Sequence, residues 1–300
     1  MRDYATTELT QAIACLGWRG SRLHAGVHQA RKSLRRARAT LALGAATLGP
    51  GAVLIDRELR RLNRRLSKLR DTQALVGTLD HLLRKNADTE AAAILRRSRR
   101  VAAHARAERA RTTMTTDPHL RDRRALLAVL QAALSALPWQ TVAETEAHDA
   151  LRVSATRADE AAARAQRSGR DEDWHRWRRR ARRLSQQLRA LGDSIAAPPE
   201  IGEGAKRLAI LLGEAQDYAL LREHCGKRSV FAPADRAMLR ELSERGTAHL
   251  QERIRAELPA ARHTQSDFRT VALRNRAGRP VPSSPPPEPV RRRSERSSSE

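Results

Sequence analysis

The chain has 300 residues and a formal net charge of +24, because it carries 58 lysine and arginine side chains against 34 aspartate and glutamate side chains. This excess is far larger than solubility requires and indicates a polyanionic partner. No stretch approaches the roughly 18 uninterrupted apolar residues of a membrane-spanning helix, and the N-terminus lacks the apolar segment of a signal peptide, so we expect a cytoplasmic protein that does not enter a membrane.

The composition predicts an all-α fold. Ala, Leu, Arg and Glu dominate from residue 5 to about 258, and no alternation of strand length appears. Helix-breaking residues divide this region into amphipathic segments of the length found in helical bundles. The breaks are expected at residues 17–20, 48–51, 85–88, 115–118, 137–138, 168–169, 197–199 and 231–233.

The first strongly patterned helix covers residues 27–38. At about 100° per residue its apolar residues share one face and its polar face carries only positive charge. The cationic face consists of His28, Arg31, Lys32, Arg35 and Arg36. A merely solvated face usually interleaves glutamates, as residues 241–257 do here, so we favour ligand binding for this helix.

A second basic helix follows at residues 57–68. Its leucines share one face, and the opposite face carries Arg57, Arg60, Arg61, Arg64 and Lys68. For this segment a solvated surface and a ligand site are equally good interpretations.

The first basic helix is repeated about 147 residues later. His175, Arg178, Arg179, Arg182 and Arg183 stand at the positions of His28, Arg31, Lys32, Arg35 and Arg36. A second pair of similar segments, which places Asp217 146 residues after Asp71, gives an offset that differs from the first by one residue. The repeat predicts two similar helical halves, at about residues 5–115 and 118–258, related by a pseudo-two-fold axis.

The C-terminal part of the chain differs in composition. We place the end of the helical domain, residues 1–262, near the point where proline, serine and arginine begin to dominate, and we expect residues 263–300 to form a disordered tail. The cluster at residues 291–293 adds loose affinity for polyanions at most.

The basic run from His28 to Arg36, its repeat from His175 to Arg183, and the Leu-x-x-Leu-Arg-Asp stretch at residues 66–71 resemble the CHAD family, the conserved histidine α-helical domain. The resemblance covers about residues 5–258. It implies a pair of four-helix bundles that face each other across a basic groove. It also implies binding of inorganic polyphosphate, often at polyphosphate granules.

The predicted polyphosphate-binding set combines residues carried over from this resemblance with others on the same basic faces. It consists of His28, Arg31, Lys32, Arg35, Arg38, Arg57, Arg61, Arg64, Lys68, His175, Arg178, Arg179, Arg182, Arg183 and Arg189. The second copy departs from the pattern of the first. Ser185 stands where the first copy has Arg38, and Gln216 stands where the first copy has Arg70. The resemblance therefore implies a smaller contribution from the second half, although Arg189 returns to its basic face.

Asp71 and Asp217 are best interpreted as acids that orient neighbouring arginines or cap a helix. No glycine-rich phosphate loop, metal triad or activated nucleophile is recognisable, so we expect neither catalysis nor a cofactor.

His24 lies one turn before His28, a spacing that can bind zinc, but no further ligand follows and the arginines would repel a dication. We therefore expect no metal site.

Two questions stay open at the level of residues. A nonspecific RNA- or DNA-binding protein is the main alternative, although aromatic residues make up only 3% of the chain and offer few platforms for base stacking. A polyphosphate-processing enzyme is a weaker alternative.

Bound phosphate would favour protonation of His28 and His175, whereas nearby guanidinium groups would oppose it, so the sequence does not give the direction of their pKa shift.

Overall fold

A computed structural model describes residues 1–86, 90–192, 199–226 and 229–277, with only the backbone described for residues 199–201 and 258–277. Over these residues the chain forms ten α-helices and no strand, which confirms the all-α prediction. The helices, numbered α1 to α10 in chain order, are Arg2–Leu16, Leu23–Leu41, Gly49–Arg65, Ser67–Lys85, Ala91–Thr116, Arg121–Ser135, Glu144–Ser168, Asp171–Leu191, Pro199–His224 and Pro233–Ala277.

Two helix ends illustrate how local sequence sets the boundaries. Gly169 adopts a left-handed backbone conformation, with φ of 63°, and its N–H donates to the carbonyl oxygen of Ala165 at 3.0 Å, which terminates α7. The next helix, α8, begins with three acidic residues, which suit the positive end of its dipole. The break between α3 and α4 at Leu66 carries neither glycine nor proline, and the sequence analysis did not predict it.

The first hydrophobic core joins α1, α2, α3 and α6. The apolar face of α2 contributes Val27, Ala30 and Leu34, all less than 2% exposed. The approach of α2 to α1 is very close at Gly26, where a side-chain Cβ would lie 2.2 Å from the carbonyl oxygen of Cys15. Glycine at this position therefore allows α2 to pack tightly against the end of α1.

The second core brings together helices from distant parts of the chain. Leu79 of α4 and Leu95 of α5 pack in one cluster with Trp177 of α8, Leu221 of α9 and Leu239 of α10. A smaller third cluster joins the start of α7 to the end of α8.

The packing crosses the predicted boundary between the halves. Helix α6 lies in the predicted second half, 118–258, but packs in the first core, whereas α4 and the beginning of α5 lie in the predicted first half, 5–115, but pack in the second core. The repeat identifies equivalent helices, but it does not specify which apolar faces meet. Each of the two cores therefore contains helices from both predicted halves.

The last helix continues beyond the predicted end of the helical domain. Disorder was expected from residue 263, whereas the described backbone is helical up to Ala277. Residues 260–277 contain four alanines and four arginines, and a helix that is already nucleated extends readily through such residues. The rest of the predicted tail, 278–300, lies outside the described residues.

Within the described part of the chain, no helix combines the length and the apolar composition needed to span a lipid bilayer.

Candidate anion-binding site

The two repeated helices, α2 and α8, pack against each other and line one cleft. Their apolar residues enter the hydrophobic cores, as Leu34 does from α2 and Trp177 from α8, so their polar faces are left to line the space between them. The junction of α3 with α4 and one face of α9 complete the walls. The cleft has a volume of about 760 Å³, which is in the range of small-molecule sites.

Ten of the fifteen predicted binding residues line this cleft. They are His28, Arg31, Lys32, Arg35, Arg64, His175, Arg178, Arg179, Arg182 and Arg189. The structure thus brings together side chains that lie as far apart in sequence as residues 28 and 189.

Several of the arginines in the cleft walls have no partner among the residues that the structure describes. Among the described residues, the side chains of Arg35, Arg178 and Arg182 form no hydrogen bond and no ion pair, and the buried Nε atoms of Arg35 and Arg178 lack an acceptor. Arg31 is held more firmly, because it donates to the carbonyl oxygen of Asn63 and, at 2.8 Å, to Oγ of Ser67. Positive charge without an acceptor in a partly dehydrated wall is the environment of an anion site.

Loss of hydration is the largest cause of lowered pKa values in this cluster, and neighbouring guanidinium groups add to it. The pKa of Arg178 falls to about 9, those of Arg31 and Arg182 fall to about 10, and that of Arg35 falls well below its ordinary value. Arg31, Arg178 and Arg182 remain charged at neutral pH. A comparable shift would bring the pKa of a lysine close to neutral pH, so the high intrinsic basicity of arginine matters in this cleft.

The charges that act on these arginines follow the internal repeat. The charge of Arg182 lowers the pKa of Arg31, and the charge of Arg178 lowers the pKa of Arg35, which are the equivalent positions in the repeat. Such mirrored neighbours are the arrangement expected when two equivalent helices cross near a pseudo-two-fold axis.

A salt bridge between α4 and α9 lies at one side of the cleft. Arg70 donates to Asp217 Oδ1 at 2.8 Å, and its guanidinium also lies 3.5 Å from Asp71 Oδ1. Both acids that the sequence analysis selected therefore lie beside the same arginine, as an orienting role requires. Arg70 itself was not among the predicted binding residues.

The two equivalent histidines have different surroundings. His28 is exposed at the edge of the cleft, and partial loss of hydration, together with the charges of Lys32, Arg35 and Arg70, lowers its pKa to about 4 despite the opposing charge of Asp217. The imidazole of His28 is therefore neutral at neutral pH in the ligand-free protein. His175 instead forms a hydrogen bond between its Nδ1 and Oε1 of Gln216.

Five predicted residues do not line the cleft. Arg38 forms a two-pronged ion pair with Asp56, at 2.8 and 3.1 Å. Arg61 lies 3.3 Å from Glu58, and Arg57 lies 3.7 Å from the same carboxylate. The other two, Lys68 and Arg183, are exposed outside the cleft lining.

Three other basic cleft residues lie outside the predicted binding set, although Arg36 was assigned to the cationic face of the first basic helix. Arg36, which forms an ion pair with Glu8 at 3.0 Å, lines the cleft, as do Arg70 and Lys206. The basic run at residues 28–36 and the Leu-Arg-Asp stretch contained the signals for the first two. Lys206 lies in no such pattern.

In the part of the chain that the structure describes, no group of three or more His, Cys, Asp or Glu side chains is arranged to hold a metal ion.

Comparison with protein families adds one finding. The family model described as the CHAD domain matches residues 5–226. No curated protein and no solved structure matches the chain.

Proposed function

The chain belongs to the CHAD family, and from this premise we propose that it binds inorganic polyphosphate in the cleft between α2 and α8 without converting it chemically. The protein would act in the cytoplasm, where polyphosphate granules are the expected location of its ligand.

The unpaired guanidinium groups are the observation that carries this proposal. The guanidinium groups of Arg35, Arg178 and Arg182 indicate a ligand that supplies several acceptors in succession, because each group has donors without an acceptor among the described residues. A linear phosphate chain presents charged oxygens at every unit. Charge-assisted hydrogen bonds from guanidinium to phosphate are stronger than those between neutral groups.

The composition of the cleft favours polyphosphate over a nucleic acid. Among the described residues that line it, none is a tryptophan, tyrosine or phenylalanine. Nonspecific binding of single strands relies on stacking of successive bases on aromatic side chains. A chain of phosphates needs only the charges.

The contacts of Asp71 and Asp217 favour a protein that binds its ligand without converting it. Arg70 already pairs with Asp71 and Asp217. Phosphoryl transfer assisted by metal ions needs carboxylates that converge on the metals. We therefore assign these two acids to the positioning of Arg70.

Competition binding tests the proposal. Long polyphosphate should displace labelled RNA and DNA at matched charge and salt, and incubation with polyphosphate, with or without magnesium, should release no phosphate. Equal affinity for RNA or DNA would support the nucleic-acid alternative. Turnover that is lost on replacement of Asp71 or Asp217 would establish an enzyme instead.

His28 predicts a pH dependence of binding. Bound phosphate favours the imidazolium form, so the pKa of His28 in the complex should lie above its ligand-free value of about 4. Binding then takes up a proton, and affinity should rise several-fold as the pH falls from about 7 to about 5. His28→Gln should flatten this profile, whereas His104→Gln, at an exposed position on α5, should not.

The stability of the ligand-free protein should fall as the pH falls, whereas the affinity for polyphosphate should rise. Because folding lowers the pKa of His28 from 6.5 to about 4, the unfolded chain binds the proton more tightly, and stability is lost as the pH falls through this window. His28→Gln should reduce that loss in thermal unfolding experiments. A wild-type binding profile that is flat in pH and unaffected by His28→Gln would contradict a contact between His28 and phosphate.

A further inference from the structure

A second cavity, of about 850 Å³, adjoins the cleft on the other side of the Arg70–Asp217 salt bridge. It lies between α2, α4, α9 and α10, and Arg106 of α5 also reaches it. The cavity and the cleft share His28, Arg70, Glu214 and Asp217 as lining residues. The two spaces therefore adjoin at these four residues, and a molecule that extended past them would reach both.

The lining of this second cavity differs from that of the cleft. Four of the ten histidines of the chain line it, His24, His28, His81 and His249, among small residues such as Ala25. Reduced hydration lowers the pKa values of His24, His28 and His81, and nearby cations lower them further. At neutral pH these three rings are therefore uncharged, flat surfaces with a hydrogen-bonding edge.

One of these rings packs against a buried tyrosine. His81 lies against Tyr218, with ring centroids 6.3 Å apart and planes inclined by 59°. Tyr218 is only 5% exposed and packs on the backbone of α10 at Gly246, where a side-chain Cβ would lie 2.6 Å from the tyrosine ring. A ring held in this way is suited to contact another planar group, because little conformational freedom is lost on binding.

The boundary between the two spaces carries acids. Glu214 lines both spaces and, among the described residues, forms no hydrogen bond and no ion pair. Asp217 lies beside it on α9. Lys85, Arg106 and Arg253 line the second cavity farther in. A phosphate chain would have to pass the two boundary carboxylates to reach these cations, whereas the hydroxyl groups of a sugar would donate hydrogen bonds to the carboxylates.

We propose that the second cavity binds the nucleoside part of a nucleoside polyphosphate, whose phosphates lie in the cleft. The base contacts the histidine rings, since histidine and arginine side chains are common stacking partners of unpaired bases. The ribose lies near Glu214. The phosphate part of this inference rests on the proposed function of the cleft.

Two glycines provide matched variants for a test. Gly77 of α4 lines the second cavity and Gly213 of α9 lines the cleft, and an added Cβ at either position has no atom within 4 Å. A leucine therefore fills the cavity in Gly77→Leu and narrows the cleft in Gly213→Leu. Both substitutions raise helix propensity, so the fold should be retained, as circular dichroism can verify.

The experiment compares adenosine triphosphate with inorganic tripolyphosphate by calorimetry in magnesium-free buffer. Wild-type protein should bind the nucleotide about tenfold more tightly, as expected for stacking of one base, although tripolyphosphate carries the larger negative charge. Gly77→Leu should abolish this preference and leave tripolyphosphate binding unchanged. Gly213→Leu should weaken the binding of both ligands.

The outcomes separate the two proposals. Equal affinities of the wild type for both ligands, or an equal loss of both in Gly77→Leu, would overturn the nucleoside site while the cleft still bound phosphates. Failure of tripolyphosphate to bind while the nucleotide binds would overturn the proposed function of the cleft instead. Failure of both ligands to bind would overturn both proposals.

Discussion

Replacing Arg35 and Arg182 together by alanine should lower the affinity for polyphosphate by about 100-fold or more. Each charge-assisted hydrogen bond contributes about 1.5–3 kcal/mol, which corresponds to roughly tenfold or more per residue. Neither guanidinium has a protein partner among the described residues, so the substitutions leave no other group unpaired. Fluorescence anisotropy or calorimetry with polyphosphate of defined length measures the change.

A matched pair of substitutions removes the same charge elsewhere. Arg57 and Arg61 are exposed and lie outside the cleft lining, so Arg57→Ala with Arg61→Ala should cost little affinity. Equal losses from the two double variants would mean that diffuse charge, and not the cleft, binds the polyanion.

The same cleft variant should unfold at a higher temperature than the wild type when no ligand is present. Folding places Arg35 and Arg182 where hydration is poor and like charges are close, as their lowered pKa values indicate. Removing cations that lack partners relieves this cost. A gain in thermal stability together with a loss of affinity distinguishes a binding site from a merely structural cluster.

Salt should weaken polyphosphate binding steeply. Each phosphate contact displaces condensed counterions, and for a single-stranded polyanion the slope of log affinity against log salt is about −0.7 per contact. With about six contacts in the cleft, the affinity should fall by about 10²- to 10³-fold between about 50 mM and about 200 mM salt. Titrations at several salt concentrations give the slope directly.

The double cleft variant provides the control for this slope. Loss of Arg35 and Arg182 removes about two phosphate contacts and should make the slope shallower by about 1.4. The variant at Arg57 and Arg61 should keep the wild-type slope. An affinity that barely changes with salt would rule out an electrostatic site.

Local periodicity predicted which faces of the helices are buried. In α2 the apolar residues recur every three or four positions, and Ala30, Leu34 and Ala37 are indeed fully buried. Because α8 repeats the pattern, its cationic face could be placed as well. Side-chain spacing within one helix is fixed by helix geometry, so this part of the cleft could be read from sequence.

Contacts between distant segments could not be predicted in this way. Arg38 belongs to the same basic pattern as its neighbours, but it donates hydrogen bonds to the carboxylate of Asp56 on α3 and not to a ligand in the cleft. Arg70 stood in a recognised stretch, yet its importance depends on Asp217, which lies 147 residues away. Periodicity shows that a face is polar, whereas its partner is set by packing.

The interleaved cores have a consequence for the order in which the chain can fold during synthesis. Leu79 and Leu95 lie in the same core as Leu239 and Ile254, so the apolar faces of α4 and α5 lack most of their partners until nearly the whole domain has left the ribosome. The first core closes earlier, once α6 has emerged. Between these two events the nascent chain exposes apolar surface, and this interval is when it depends most on chaperones.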